Sequence, residues 1–317
     1  MLFMFLAYAA LIACVAIIAM KFIGYLKHPQ HLRWELYPVA HEEADRVKYG
    51  GSYLEKTNWW KEKQHGSTIG MLKGFLQEAL FLHATFEHNR PLWYVTYPFH
   101  LGLYALIGAF VLTLLVSVLI AAGFTGGFVS FLTVLLALAN FVGFVGVLFG
   151  TIGLIRRRLN DKGLRKYSTR EHFFNLGMFA LYALIGLILV FHGSGYLALS
   201  MTFVGGMFMF DATPFSLAFG AASGSLAFFY GLYILLTCFI LVWVPYSFMG
   251  HAFMKYFTWH DIRWGDTPTQ DSETIQVKLL EDLNRPVSWK APHVKGDGKK
   301  TWAEIATSTG ADDASKE

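Results

Sequence analysis

Five stretches of the chain, 2–20, 99–122, 129–155, 173–200 and 226–248, each run for 19 residues or more without an acidic or basic side chain. A helix needs about 20 apolar residues to cross the roughly 30 Å hydrocarbon core of a bilayer. In that core only elements that satisfy their own backbone hydrogen bonds persist, so the runs predict helices. The expected fold class is an all-α membrane protein with five transmembrane helices. Composition agrees: 15% of the 317 residues are charged and mean hydropathy is +0.42, where a soluble chain carries about 25% charge. The first run has no basic residue before it and no convincing small-residue cleavage site, so it reads as a retained helix rather than a signal peptide.

Charge between the runs predicts orientation. Ten Lys and Arg residues lie in 21–90, seven in 156–170 and nine in 255–316, which together are all 26 in the chain. Basic loops stay in the cytoplasm, so the N-terminus, 123–128 and 201–225 are expected outside and the C-terminus inside. The expected location is a bacterial inner (cytoplasmic) membrane, crossed several times. Asp211 is the lone charge on the outer face. The net charge of +4 then reports topology, and nucleic acid is set aside as a partner.

Residues 1–260 are expected to form the membrane domain, with a cytoplasmic loop at 21–92, and residues 261–317 a cytoplasmic tail. In the loop, Leu72, Phe75, Leu76, Ala79, Leu82 and Phe86 recur at helical spacing, predicting one amphipathic surface helix over 69–87 before the second span. The tail carries Trp289 and Trp302 without a continuous core, which points to docking on a partner, and its acidic end at 307–317 reads as disordered. The outer segment 201–225 is apolar enough to lie among membrane lipids at the interface or under a periplasmic partner.

Cys14 and Cys238 both sit inside apolar runs, so no thiolate cluster for iron–sulfur or zinc and no covalent haem motif is present. Metal chemistry must rest on the 12 histidines. His100 opens the second span just after Pro98, and His251 follows the fifth, six residues past Pro245, where the helix is expected to continue. Both fall at the cytoplasmic depth, and two neutral imidazoles from different helices suit a low-spin b-type haem. Gly143, Gly146, Gly150 and Gly153 form a row that admits either a flat macrocycle or a neighbouring helix. Arg156, Arg157 and Arg158 stand where haem propionates would find cations, or where the topology rule alone would put them.

Phe99-His100-Leu101-Gly102, Arg156-Arg157-Arg158-Leu159 and Pro245-Tyr246-Ser247-Phe248-Met249-Gly250-His251 resemble the membrane cytochrome b (gamma) subunit of respiratory nitrate reductase over about residues 1–259. The resemblance implies two stacked b haems, each held by one histidine from the second span and one from the fifth. His100 and His251 match the cytoplasm-proximal pair. The outer pair would fall at Phe110 and Tyr233, neither of which does the work of a haem-ligating imidazole, so one haem is expected. The segment 27–43, KHPQHLRWELYPVAHEE, and the long loop after it are similar to the membrane subunits of the Tmc, Hmc and Dsr-type redox complexes of sulfate-reducing bacteria. That branch implies a cytoplasmic iron–sulfur subunit like heterodisulfide reductase, often with a periplasmic multihaem cytochrome c, and electron transfer among them.

The other histidines admit several readings. His192, near the outer end of the fourth span, is a candidate for a quinone head group or a second haem, against an interfacial histidine bound to a loop. His172 is a reserve ligand, against a surface histidine; about 30 Å of helical rise separates the two, so they cannot share one iron. His83, Glu87 and His88 group on the surface helix, either as a proton-accepting site for menaquinone chemistry or as a solvated face. His28, His31, His41, His65 and His260 read as partner-facing or solvated, and 32–43, with Arg33, Trp34, Glu35 and Tyr37, is the expected dock for the iron–sulfur partner.

The leading expectation is a haem b electron-transfer subunit of a respiratory complex, with quinone oxidoreductase chemistry as the one activity it would have of its own. The alternative is a non-redox membrane anchor for a cytoplasmic enzyme. A transporter would want repeats, interrupted helices or charged residues along a midplane path, and the spans carry no charge away from their ends.

Overall fold

The structure is a computed structural model that describes residues 1–27, 68–252, 254, 273–291 and 294–308. Five helices are long and apolar enough to cross a membrane: α1 (Leu2–Lys27), α4 (Arg90–Ala121), α5 (Gly127–Asn160), α7 (Arg170–Val190) and α10 (Gly224–Tyr246). Between them lie α2 (Thr68–Phe81), α3 (His83–His88), α6 (Lys162–Tyr167), α8 (Ser194–Met209) and α9 (Thr213–Ala221). After a 3-10 turn at Phe248–Gly250 come α11 (Glu273–Leu283), β1 (Lys290–Ala291), β2 (Val294–Lys295) and α12 (Trp302–Thr307). The chain divides into two compact units, Met1–Ile17 with Leu76–Phe248 and Ile18–Phe75 with Met249–Glu317.

The first unit is built on the antiparallel pair α4 and α5, joined by a turn in which Gly123 and Gly126 take φ of +83° and +101°. Glycine row and partner helix interlock along this seam. A Cβ on Gly102 would lie 2.6 Å from the backbone nitrogen of Val147, one on Gly146 2.8 Å from the Pro98 carbonyl and one on Gly150 2.5 Å from Phe99 Cβ. Of the two uses expected for the row, it serves the close approach of a neighbouring helix. On its other side α5 meets α7, where the fully buried Phe144 ring fills the space a Cβ on Gly186 would need.

Two expectations about the spans need correction. The fourth run does not form one helix over 173–200: α7 stops at Val190, residues 191–193 turn with Gly193 at φ +57°, and α8 starts again at Ser194. The segment 201–225 is mostly helix rather than loop. α8 lies along α4, where Ser117 Oγ donates to the Met201 carbonyl at 2.9 Å, and Phe203 of α8 packs edge-on against Phe215 of α9. Met4 and Ala7 of α1 join this core with Leu199, Leu226 and Tyr230.

The surface helix is also broken. Leu82 takes a left-handed conformation, φ +52°, between α2 and α3, so 69–87 is two helices. Glu78 ties the joint by accepting from the Ala84 backbone N–H at 2.9 Å, and Trp93 Nε1 donates to the Phe81 carbonyl at 2.8 Å.

In the second unit the tail has a small core of its own, contrary to expectation. Val287 and Val294 are buried, a β1–β2 hairpin pairs antiparallel, and Trp289 packs edge-on to Trp302 at 5.8 Å. Thr301 caps α12: its backbone N–H donates to Glu304 Oε2 at 2.7 Å and the Glu304 N–H to Thr301 Oγ1 at 3.3 Å. Residues 309–317, the acidic end, lie outside the described residues.

Two predictions follow from these contacts. Gly102→Ala forces the α4–α5 seam apart and should cost about 1–3 kcal/mol, read as a lower melting temperature in detergent, while Gly108→Ala, with open space around it, should not. The Thr301 N–H and hydroxyl hold the Glu304 carboxyl below its usual range. A depressed carboxylate lends stability that is present above its unfolded pKa and lost as pH falls through the folded value. The α12 cap should therefore loosen only as pH falls below the ordinary carboxylate range, seen as a shift of the Thr301 amide resonance that is absent in Glu304→Gln.

Candidate functional site

His100 sits ten residues into α4 and is half-buried. Its Nδ1–H donates to the carbonyl of Thr96, one turn earlier, at 2.8 Å. In the neutral ring this bond puts the lone pair on Nε2 and holds the plane of the imidazole, as a hydrogen bond to the other ring nitrogen does in metal-ligating histidines. Phe99, which wedges against Gly150, and Tyr104 flank the ring at centroid distances of 5.4 and 6.4 Å.

His251 lies five residues past the end of α10, in the second unit, and is exposed. The helix does not continue to it as expected. Ser247 is extended, and the 3-10 turn Phe248–Gly250 intervenes.

His172 has a specific local role at the helix end. It occupies the third position of α7 as a helix cap, its Nδ1 accepting the Thr169 backbone N–H at 3.1 Å, and its ring lies 4.8 Å from Phe248. With Nδ1 as acceptor the neutral ring carries its proton on Nε2, which leaves no lone pair for iron. His192 lies in the 191–193 turn between α7 and α8, half-buried. His83 Nε2 and Glu87 Oε1 are 3.1 Å apart on α3, each about half exposed, and His88 is exposed beside them. Arg158 Nη1 donates to Ser168 Oγ at 3.1 Å, whereas Arg156 and Arg157 line a groove between α4 and α5. His28, His31, His41, His65, His260 and the segment 32–43 lie outside the described residues.

Phe110 and Tyr233, where the resemblance would put an outer ligand pair, lie in different surroundings. Phe110 is 56% exposed on the outside of α4. Tyr233 is packed into a cluster of rings from three helices: it stacks on Tyr182 at 5.0 Å and meets Phe144 and Tyr196 edge-on at 6.1 and 6.4 Å. The Tyr182 hydroxyl donates to that of Tyr233 at 2.8 Å, and Tyr196 donates to Asn140 Oδ1 at 2.9 Å. A macrocycle beside Tyr233 would have to displace these rings.

Asn175 lies outside the histidine pattern. It is 1% exposed, its Oδ1 accepts from Trp243 Nε1 at 2.6 Å, and its buried Nδ2 has no hydrogen-bond partner among the described residues. A signal was available, because Asn140 and Asn175 are the only carboxamides in the five apolar runs and such groups are costly there unless they find partners. Among the described residues no group of three or more His, Cys, Asp or Glu side chains converges on a metal-sized site.

Tyr196→Phe removes the donor to Asn140 inside the bundle and should lower stability by about 1 kcal/mol, measured as a melting shift in detergent. An unchanged melting temperature would show that the bond is not formed. Comparison of the chain with protein-family models, with curated proteins and with solved structures found no match.

Proposed function

We propose that this chain is a haem b-carrying membrane subunit of a respiratory redox complex in a bacterial cytoplasmic membrane. It passes electrons between menaquinone, or a periplasmic cytochrome c, and a cytoplasmic iron–sulfur subunit resembling heterodisulfide reductase. The observation that carries the reading is the His100 ring, fixed by Thr96 with its lone pair on Nε2. His251 is the proposed second axial ligand, and the N-terminus is proposed outside and the C-terminus in the cytoplasm, from the distribution of Lys and Arg.

A b haem, when bound, supplies a reversible one-electron couple at iron. The chain's own residues do the rest. The Thr96 carbonyl orients His100 and, by accepting from Nδ1–H, raises the donor strength of Nε2. Arg158 is the proposed cation for a propionate, since Arg156 and Arg157 are turned to the α4–α5 groove. Phe99 and Phe179, edge-on at 5.3 Å, keep water from the helix interior beside His100. The His83–Glu87 pair, whose Nε2 and Oε1 are 3.1 Å apart, is proposed with His88 to relay the protons that menaquinone chemistry requires.

His100→Ala and His251→Ala, each produced with haem supplied, should abolish the low-spin b-type absorption of the reduced protein. His192→Ala and His172→Ala should retain it. Haem retained in His100→Ala, or lost in His192→Ala, would overturn the ligand assignment. Colourless wild-type protein would leave the non-redox anchor.

A further inference from the structure

A groove of about 430 Å³ runs between the first turns of α4 and the last turns of α5, within the first unit. Its wall is apolar, formed by Val95, Phe149 and Ile152, of which Phe149 and Ile152 are 58% and 56% exposed on the outside of the helix pair. Its rim is cationic and amide-bearing, with Arg156, Arg157 and Asn160.

Among the described residues the rim lacks an anion: Arg157 Nε is buried with no hydrogen-bond partner there, and Nη2 reaches Asn89 Oδ1 at 3.5 Å, an oxygen that already accepts from the Leu92 N–H at 3.2 Å. The adjacent carboxylate, Asp161, is committed to capping α6, its Oδ1 accepting from Gly163 N–H and Leu164 N–H at 2.9 and 3.0 Å. Among the described residues neither Arg156 nor Arg157 is paired with a carboxylate. A buried guanidinium nitrogen without an acceptor is costly, and a planar fork of donors suits phosphate.

Charge and shape together select the occupant. A soluble anion has no use for the apolar wall, and a zwitterionic or neutral lipid brings no net charge to the two arginines. We propose that the groove holds one anionic glycerophospholipid, its phosphodiester at Arg156 and Arg157 and one acyl chain along Val95, Phe149 and Ile152. The site lies on helices of membrane-spanning length at the end where such headgroups concentrate opposite basic residues, and it does not rest on the haem reading.

The test is native mass spectrometry of the full chain, delipidated in non-ionic detergent and titrated with phosphatidylglycerol or phosphatidylcholine. The first phosphatidylglycerol should bind at least about tenfold more tightly than phosphatidylcholine, and the double variant Arg156→Gln/Arg157→Gln should lose that preference. Ile152→Trp, which fills the wall and keeps both charges, should weaken phosphatidylglycerol binding and decides the matter should the double variant fail to fold. Equal binding of the two lipids, a preference unchanged in the double variant, or displacement of the lipid by millimolar inorganic phosphate would overturn the proposal.

Discussion

The close approach of α4 and α5 is the constraint on which the rest of the bundle depends. Between two helices in hydrocarbon there is no water to expel, so association rests on van der Waals contact and hydrogen bonds, and small residues set how near the backbones come. Here Gly102 on one helix faces Gly143, Gly146 and Val147 on the other, and Gly150 takes the Phe99 side chain against its backbone. That packing fixes the rotation of α4. With Phe99 turned into the seam, His100 is carried to the adjoining face, where Thr96 and Tyr104 lie one turn either side of it. The same rotation leaves Phe110 on the exposed side of the helix.

The two halves of the bundle interior are chemically distinct. Around His100 and Phe99 the lining is aromatic, with Tyr104 and the Phe179 ring of α7. Around Tyr233 the interior is a packed set of tyrosines whose hydroxyls find one another, Asn140 or Ser200. Buried polar networks of this kind are stable only when their members are satisfied. This one is, and it fills its volume with side chains. Tyr233 and its neighbours thus fill the region where the resemblance would place an outer haem.

The existence and rough limits of the five spans were legible because length and apolarity alone decide them. The features that were not legible depend on backbone conformation at single residues. The break at 191–193 sits inside an uncharged run, and only Gly193 hints at it. Leu82 is a good helix former, so nothing in the pattern of α2 and α3 announces a left-handed residue between them. The capping role of His172 does not show in the sequence, because the capping pattern expects Glu or Gln three residues after Thr169 and here an imidazole takes that place. The glycine row was visible, with both of its uses open, and the three arginines were visible as a group while their separate partners were not. The tail's core rests on Val287 and Val294, too few residues to stand out in a polar segment.

Cofactor stoichiometry tests the account most directly. Full-length wild-type protein, purified after expression with ample haem, would be assayed by pyridine haemochrome and normalised to chain concentration by amino-acid analysis. One b haem per chain is expected, with a single low-spin spectrum. Two haems per chain would contradict the filling of the Tyr233 region, and none in folded protein would contradict the redox reading itself.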